Sequence, residues 1–288
     1  MDNNLALKRF FSKSTLESLI SGSPTEFINY VIKRYISEPE LKNYKEIIEE
    51  MYRILDKEYR TEYYYKNTML NKLLFKQHNI KTTSVLTELP IGKAKADFVM
   101  INGKGVVYEI KTELDNLDRL ADQVQEYYKA FDQVMVVTYQ ENVDRVKTSV
   151  PDTVGIMVLT KRNALNTVRP SKKATGYLDK NTIFKVLRKP EFEDIILSEG
   201  YDLPDVSQFD YYKACYGIFE EIDTDILQSL MLKQLKARTK VAVAQNSYDC
   251  PAAIRLLTYS YDKVYIDSDK LNELLKERFG GAECISHI

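Results

Sequence analysis

In the run Val106-Val107-Tyr108-Glu109-Ile110-Lys111 an acid and a base stand two residues apart among β-branched neighbours. A strand sends alternate side chains to opposite faces, so Glu109 and Lys111 share a face and the Ile110 carbonyl lies between them. Asp97 sits in the preceding run, Ala96 to Ile101, and Asn102-Gly103 between the two runs is a hairpin signal. Asp97 joins the same face if it pairs opposite Glu109, which requires an odd-length loop such as Asn102-Gly103-Lys104 with a bulge. A four-residue loop turns Asp97 to the other face unless a further bulge restores the parity. Two carboxylates and a carbonyl are the hard oxygen donors that Mg²⁺ or Mn²⁺ takes, at about 2.0 to 2.1 Å with several waters retained. Lys111 adds a cation able to orient a water or stabilise developing negative charge without any histidine. An E-x-K on an exposed strand is more commonly a solvated ion pair worth about 0 to 1 kcal/mol; it is the conjunction with Asp97 that gives the group its chemistry.

The elements that must hold these residues follow from hydrophobic period. Thr83 to Leu89, Ala96 to Ile101 and Val106 to Lys111 read as a three-stranded meander. Leu117 to Phe131 returns to helical spacing, with Gln123 and Tyr127 four apart on one face. The apolar runs Val134 to Thr138 and Gly155 to Leu159 are those of strands buried between layers. Upstream, Ser23-Pro24-Thr25-Glu26 reads as a helix start, with a helix ending near Pro39; amphipathic helices are expected over Tyr44 to Tyr59 and Glu62 to Phe75. Downstream, Ile226 to Leu235 and Asp269 to Phe279 read as helices beside the apolar segment Lys263-Val264-Tyr265-Ile266. The expected fold class is α/β, a mixed sheet covered by helices.

Composition removes other chemistries. With 288 residues, 44% hydrophobic and 29% charged, the chain has ample core material and a length prior of about two domains. The N-terminus lacks the apolar h-region of a signal peptide and no run approaches a membrane span, so a cytoplasmic protein with no membrane partner is expected. Cys215, Cys250 and Cys284 are too few and too scattered for a disulfide framework or a four-thiolate site. His78 and His287 cannot assemble an H-E-x-x-H zinc site or a Ser-His-Asp triad, and Gly92-Lys93 lacks the rest of a phosphate-binding loop. The net charge of −1 conceals a partition: residues 161–190 carry nine Lys/Arg and one Asp, whereas 191–228 carry eleven Asp/Glu and one Lys. The basic stretch either tracks a phosphate backbone or forms a solvated face paired with acids of the same chain. The 21 tyrosines, among them Tyr63-Tyr64-Tyr65 and Tyr211-Tyr212, are mainly core and interface material, with base stacking as the functional alternative.

Ala96-Asp97 followed by Glu109-Ile110-Lys111 resembles the signature of the PD-(D/E)xK nuclease superfamily, and Gln123 with Tyr127 resembles the Q-x-x-x-Y motif of its RecB and lambda-exonuclease branch. Residues from about 60 to 160, roughly a third of the chain, are similar to a family of bacterial, often phage-associated proteins in which a stretch like Tyr108-Glu109-Ile110-Lys111-Thr112-Glu113-Leu114-Asp115 recurs. Two departures stand: no proline precedes Asp97, and the cysteines of the iron–sulfur subgroup are absent. The resemblance implies a restriction-endonuclease-like αβββαβ core over 61–160, between a helical arm over 1–60 and a mainly helical substrate or partner region over 161–288. It implies a Mg²⁺- or Mn²⁺-dependent deoxyribonuclease, with Asp97, Glu109 and Lys111 catalytic and DNA as partner. The metal ligands are then Asp97, Glu109, the Ile110 carbonyl and an upstream acid, Glu62, with Glu88 as competitor. Gln123 and Tyr127 are then placed at the substrate or on the lysine. The alternative expectation is a catalytically silent nucleic-acid-binding or regulatory protein that keeps the fold, and a homodimer or a regulatory protein partner fits either reading.

Overall fold

The computed structural model describes residues 3–239, 241–259 and 267–280. The chain divides into two compact units, Met1–Lys76 with Val241–Ile288, and Gln77–Lys240. The Lys263–Ile266 segment, Cys284 and His287 lie outside the described residues.

The first unit is helical. Its N-terminal part holds α1 (Asn3–Phe10), α2 (Lys13–Ile20), α3 (Glu26–Tyr35), α4 (Tyr44–Glu58) and α5 (Glu62–Met69), the last running into a π-helical turn, Leu70–Gln77. α3 starts from Thr25, whose side chain accepts from the Ile28 N–H, instead of from Ser23-Pro24. α4 is opened by a reciprocal capping box between Asn43 and Glu46 and buries the stripe Ile47, Ile48, Met51 and Leu55.

The second unit is built on six strands: β1 (Ser84–Ile91), β2 (Ala94–Ile101), β3 (Gly105–Ile110), β4 (Gln133–Thr138), β5 (Gly155–Leu159) and β6 (Leu165–Arg169). They form one sheet in sequence order. β1, β2 and β3 are an antiparallel meander; β3, β4 and β5 run parallel; β6 closes the far edge antiparallel to β5. The parallel pairs are joined through α6 (Leu120–Tyr128) and α7 (Val143–Ser149), and the sheet is followed by α8 (Lys180–Val186), α9 (Lys189–Ser198), α10 (Gln208–Glu221) and α11 (Thr224–Ala237). The chain then completes the first unit with α12 (Val241–Asp249), α13 (Arg255–Tyr259) and α14 (Ser268–Lys276).

Val99, Ile101, Val107, Val134, Val136 and Ile156 pack with Val124 and Tyr127 of α6, and the same core takes in Phe184, Phe192, Phe219, Leu227 and Met231 from α8 to α11. Sheet and later helices therefore share one apolar cluster, so residues 161–239 belong to the sheet's unit and no division falls near 160. β6 was expected as part of a mainly helical region. Its three central residues are exposed, so no buried alternate positions betray it in the sequence. No described helix is long and apolar enough to cross a membrane.

Candidate functional site

The hairpin between β2 and β3 fixes the parity on which the site depends. Phe98 pairs with Tyr108 and Ile101 with Gly105, which puts Asp97 in register opposite Glu109. The loop is Asn102-Gly103-Lys104, closed by a hydrogen bond from the Asn102 N–H to the Lys104 carbonyl at 2.9 Å, with Gly103 at φ +71. A left-handed residue is cheap only for glycine, and here it makes the odd-length loop possible. The β1–β2 register carries the row one strand further and places Glu88 opposite Asp97. Glu88, Asp97 and Glu109 thus lie in line across three strands. Like charges set side by side in a sheet are unfavourable, and Glu88 is also left-handed, at φ +58.

Each member of the group is held by named partners. The ladder between β2 and β3 ends at Phe98, and the Ile110 N–H donates to Asp97 Oδ2 at 2.8 Å. N–H and C=O of one strand residue leave the same edge, so the Ile110 carbonyl is directed toward β2 as well. Glu109 is 2% exposed. Its Oε1 lies 3.0 Å from Lys111 Nζ, and its Oε2 accepts from the Tyr127 hydroxyl at 2.6 Å. Lys111 Nζ also donates to Gln123 Oε1 at 2.9 Å. Burial, and then the Glu109 carboxylate beside it, push the Tyr127 phenol far above its ordinary value, so it remains a donor. Tyr127 is fully buried, and its hydroxyl, also 3.0 Å from the Lys95 carbonyl, serves Glu109 and β2. Glu88 pairs with Lys95. Glu62 lies in the first unit, in the first turn of α5 after the Thr61 cap, and pairs with Lys66.

Three further residues position the group and were not singled out from the sequence. Thr138, at the end of β4, donates its hydroxyl to the Lys111 carbonyl at 2.8 Å, and the Asn142 amide donates to Thr138 Oγ1 at 3.0 Å. The Lys111 N–H donates to the Val137 carbonyl at 2.9 Å, so both backbone groups of the lysine are tied to the β4 side. Glu126 accepts from the Lys93 N–H at 3.0 Å, which fastens the β1–β2 turn to α6. Lys129 first, and then this backbone donor, lower the Glu126 carboxyl. The signal for Thr138 was a lone hydroxyl closing the run Val134 to Val137; for Glu126 it was its place between Gln123 and Tyr127.

The donor set suits a hard divalent cation. A carboxylate oxygen of Glu88 lies within 4.8 Å of one of Asp97, and the Ile110 carbonyl leaves its strand on the edge from which the Ile110 N–H reaches Asp97. A carboxylate offers about four lone-pair sites, so Glu109 keeps accepting capacity beyond Lys111 and Tyr127. The set contains oxygen only, which favours Mg²⁺ or Mn²⁺ over zinc.

A family model described as bacteriophage P4 protein cII matches residues 56–248, a span that takes in the whole sheet-bearing unit. Protein cII of Enterobacteria phage P4 is 24% identical over 131 residues, 44% of this chain and 50% of that protein. The chain thus spans about half the length of the curated relative it matches. Among solved structures, a protein of unknown function from Silicibacter pomeroyi aligns at 15% identity over 43% of this chain and 86% of that one, with a TM-score of 0.28.

Proposed function

Given that the chain belongs to the bacteriophage P4 cII family, we propose that its sheet-bearing unit is a metal-dependent deoxyribonuclease with a restriction-endonuclease-like core of the PD-(D/E)xK kind. The observation that carries this reading is the cross-strand register that sets Asp97 opposite Glu109 with Lys111 on the Glu109 carboxylate.

In this reading Asp97, Glu109 and the Ile110 carbonyl hold Mg²⁺ or Mn²⁺, with Glu88 as the additional acid within the same sheet. When bound, the cation supplies Lewis acidity toward a phosphodiester oxygen and lowers the pKa of a water. Asp97 is oriented through its Oδ2 by the Ile110 N–H. Lys111 has three N–H bonds; Glu109 and Gln123 take two, and the third is directed by that pair toward an attacking water or a charged phosphate oxygen. Gln123 and Tyr127 are positioning residues, the first acting through Lys111 and the second through Glu109.

A second reading, a silent nucleic-acid-binding or regulatory protein, is favoured by one observation: Glu109 is almost wholly buried and both its oxygens already have partners. One experiment separates the two. Linear, circular and single-stranded DNA are incubated with Mg²⁺, Mn²⁺ or EDTA and either the parent, Asp97→Asn or Glu109→Gln. Metal-dependent cutting by the parent and its loss in folded variants support the nuclease. Metal binding without cutting removes it in favour of the second reading, and equal cutting by parent and variants removes Asp97 and Glu109 from the chemistry.

A further inference from the structure

We infer that the β5–β6 turn, through Lys161 and Arg162, is a contact for the DNA backbone beside the candidate catalytic group; this rests on the proposed function and deepens it by naming the surface that tracks the substrate. β3, β4 and β5 are parallel, so their C-terminal ends lie along one rim of the sheet. Ligands of such sheets gather at that rim. Lys111 stands on it at the end of β3, Thr138 at the end of β4, and the β5–β6 turn leaves it directly after Leu159.

The turn is built to present cations. The Asn163 N–H donates to the Thr160 carbonyl at 2.9 Å, which makes Lys161 and Arg162 the two central residues of a tight turn. Asn163 takes a left-handed conformation at φ +58, and the Ala164 N–H bonds Thr160 Oγ1 at 2.9 Å. Both cations are exposed, the Lys161 side chain by 89%. Ladder pairing aligns Ile110 with Val137 and Val137 with Met157, hence Lys111 with Val158. Two strand spacings of about 4.8 Å and three residues of about 3.3 Å separate Lys161 from Lys111, roughly 14 Å in all. That is about four base-pair steps along a duplex at roughly 3.4 Å each.

The acids near this rim have other work or weak holds. Glu141, from the turn after β4, lies 3.2 Å from Lys161 and is 59% exposed, a pairing of the kind that contributes little and that a phosphate can replace. Asp115 is committed to the Thr112 N–H and hydroxyl at 2.8 and 2.7 Å, whereas Glu113 is exposed. The rest of the basic stretch is placed differently. Arg169 pairs with Asp152 at 2.8 Å and Lys173 with Asp132 at 3.4 Å, and Lys172 and Lys173 follow β6 back to the opposite rim.

The test is fluorescence-anisotropy binding of a labelled DNA duplex, and of one of its single strands, in EDTA between about 50 and 200 mM salt. Parent, Lys161→Ala/Arg162→Ala and Lys172→Ala/Lys173→Ala are compared, and cleavage with Mg²⁺ is scored separately. Loss of two phosphate contacts lowers the slope of log K against log salt by about 1.8 for the duplex and about 1.4 for the single strand. That change in the turn variant alone is the expected result. An equal change in both variants, an unchanged slope in the turn variant, or no binding by the parent overturns the inference. Binding that depends on the turn without any cleavage supports the contact and sinks the nuclease reading; cleavage with a slope indifferent to the turn does the reverse.

Discussion

Replacing Lys111 by Met removes the charge that faces Glu109 while nearly conserving side-chain volume, so packing loss is small, under about 1.5 kcal/mol. The electrostatic loss is not small. Lys111 and Glu109 have side chains 11% and 3% exposed and sit 3.0 Å apart, so the variant leaves a buried carboxylate with the Tyr127 hydroxyl as its remaining partner. Breaking such a pair from one side costs about 3 to 5 kcal/mol. For a unit of this size about 2 to 4 °C of melting temperature follows each kcal/mol, a fall of roughly 6 to 20 °C. Glu109→Gln/Lys111→Met replaces the stranded charge by a neutral amide that still accepts from Tyr127, and its cost should drop to about 1 to 2 kcal/mol. The double variant is therefore expected to be more stable than the single one. Urea unfolding followed by circular dichroism on parent, both single variants and the double gives the coupling directly. A Lys111→Met protein within 1 kcal/mol of the parent, or a double variant weaker than Lys111→Met, would refute the account of how the pair is held. Neither outcome depends on cleavage, so a folded but inactive double variant separates loss of chemistry from loss of structure.

Thr138→Val strips the hydroxyl that serves both the Lys111 carbonyl and the Asn142 amide, all buried; a loss of about 1 to 3 kcal/mol in chemical unfolding is expected. Gly92→Ala meets two obstacles, a left-handed φ of +56 and a Cβ that would sit 2.0 Å from Glu126 Oε2, so thermal stability should fall and the Lys93 N–H should lose hydrogen-exchange protection. Arg238→Ala removes a two-pronged pair with Glu191, at 2.7 and 2.6 Å, that also anchors the Val186 carbonyl at 2.9 Å, at a cost of about 3 to 5 kcal/mol near neutral pH. Burial by itself would raise the Glu191 carboxyl, but Arg238 and the Arg188 N–H outweigh it and hold the carboxyl below its ordinary value of 4.5. Stability from that lowered group is present above pH 4.5 and is lost as the pH falls through the folded value. The gap in melting temperature between parent and Arg238→Ala should therefore narrow on acidification, and a gap that is constant down to about pH 3 would count against the pairing.

The sheet was legible where burial leaves a period. The apolar runs Val106 to Lys111, Val134 to Thr138 and Gly155 to Leu159 match β3, β4 and β5 to within a residue, because they stand between turn signals. The common face of Asp97 and Glu109 is legible because a hairpin converts sequence parity into a face: Asn102-Gly103-Lys104 is an odd loop, and the register follows from it. Thr138 and Glu126 were hidden because they act through backbone groups of residues 27 and 33 positions away, and spacing along the chain carries no trace of that. β6 escaped for the opposite reason: an edge strand exposed on both faces has no apolar alternation to show. The division into units was illegible at the level of composition, since the acidic stretch lies along α9 to α11 while α8, α9 and α10 lend Phe184, Phe192 and Phe219 to the sheet's core.

The first unit is sewn together from both ends of the chain. Asn67 donates to the Ala252 carbonyl and accepts from the Leu256 N–H, Tyr63 donates to the Ala253 carbonyl, and Tyr44 and Lys42 bond the backbone around Glu277 and Phe279. During synthesis, the stretch from Gln77 to Lys240 emerges whole between those two halves. At about 5 to 20 residues per second it occupies the ribosome for roughly ten to thirty seconds. The sheet-bearing unit can close in that interval, whereas Asn67 and Tyr63 must wait for the Ala252 and Ala253 backbone that they bond. Nascent chains halted before residue 250 should accordingly lack the Ala252, Ala253 and Leu256 partners of Asn67 and Tyr63, which makes translation order, and not only sequence, a determinant of how this protein reaches its native state.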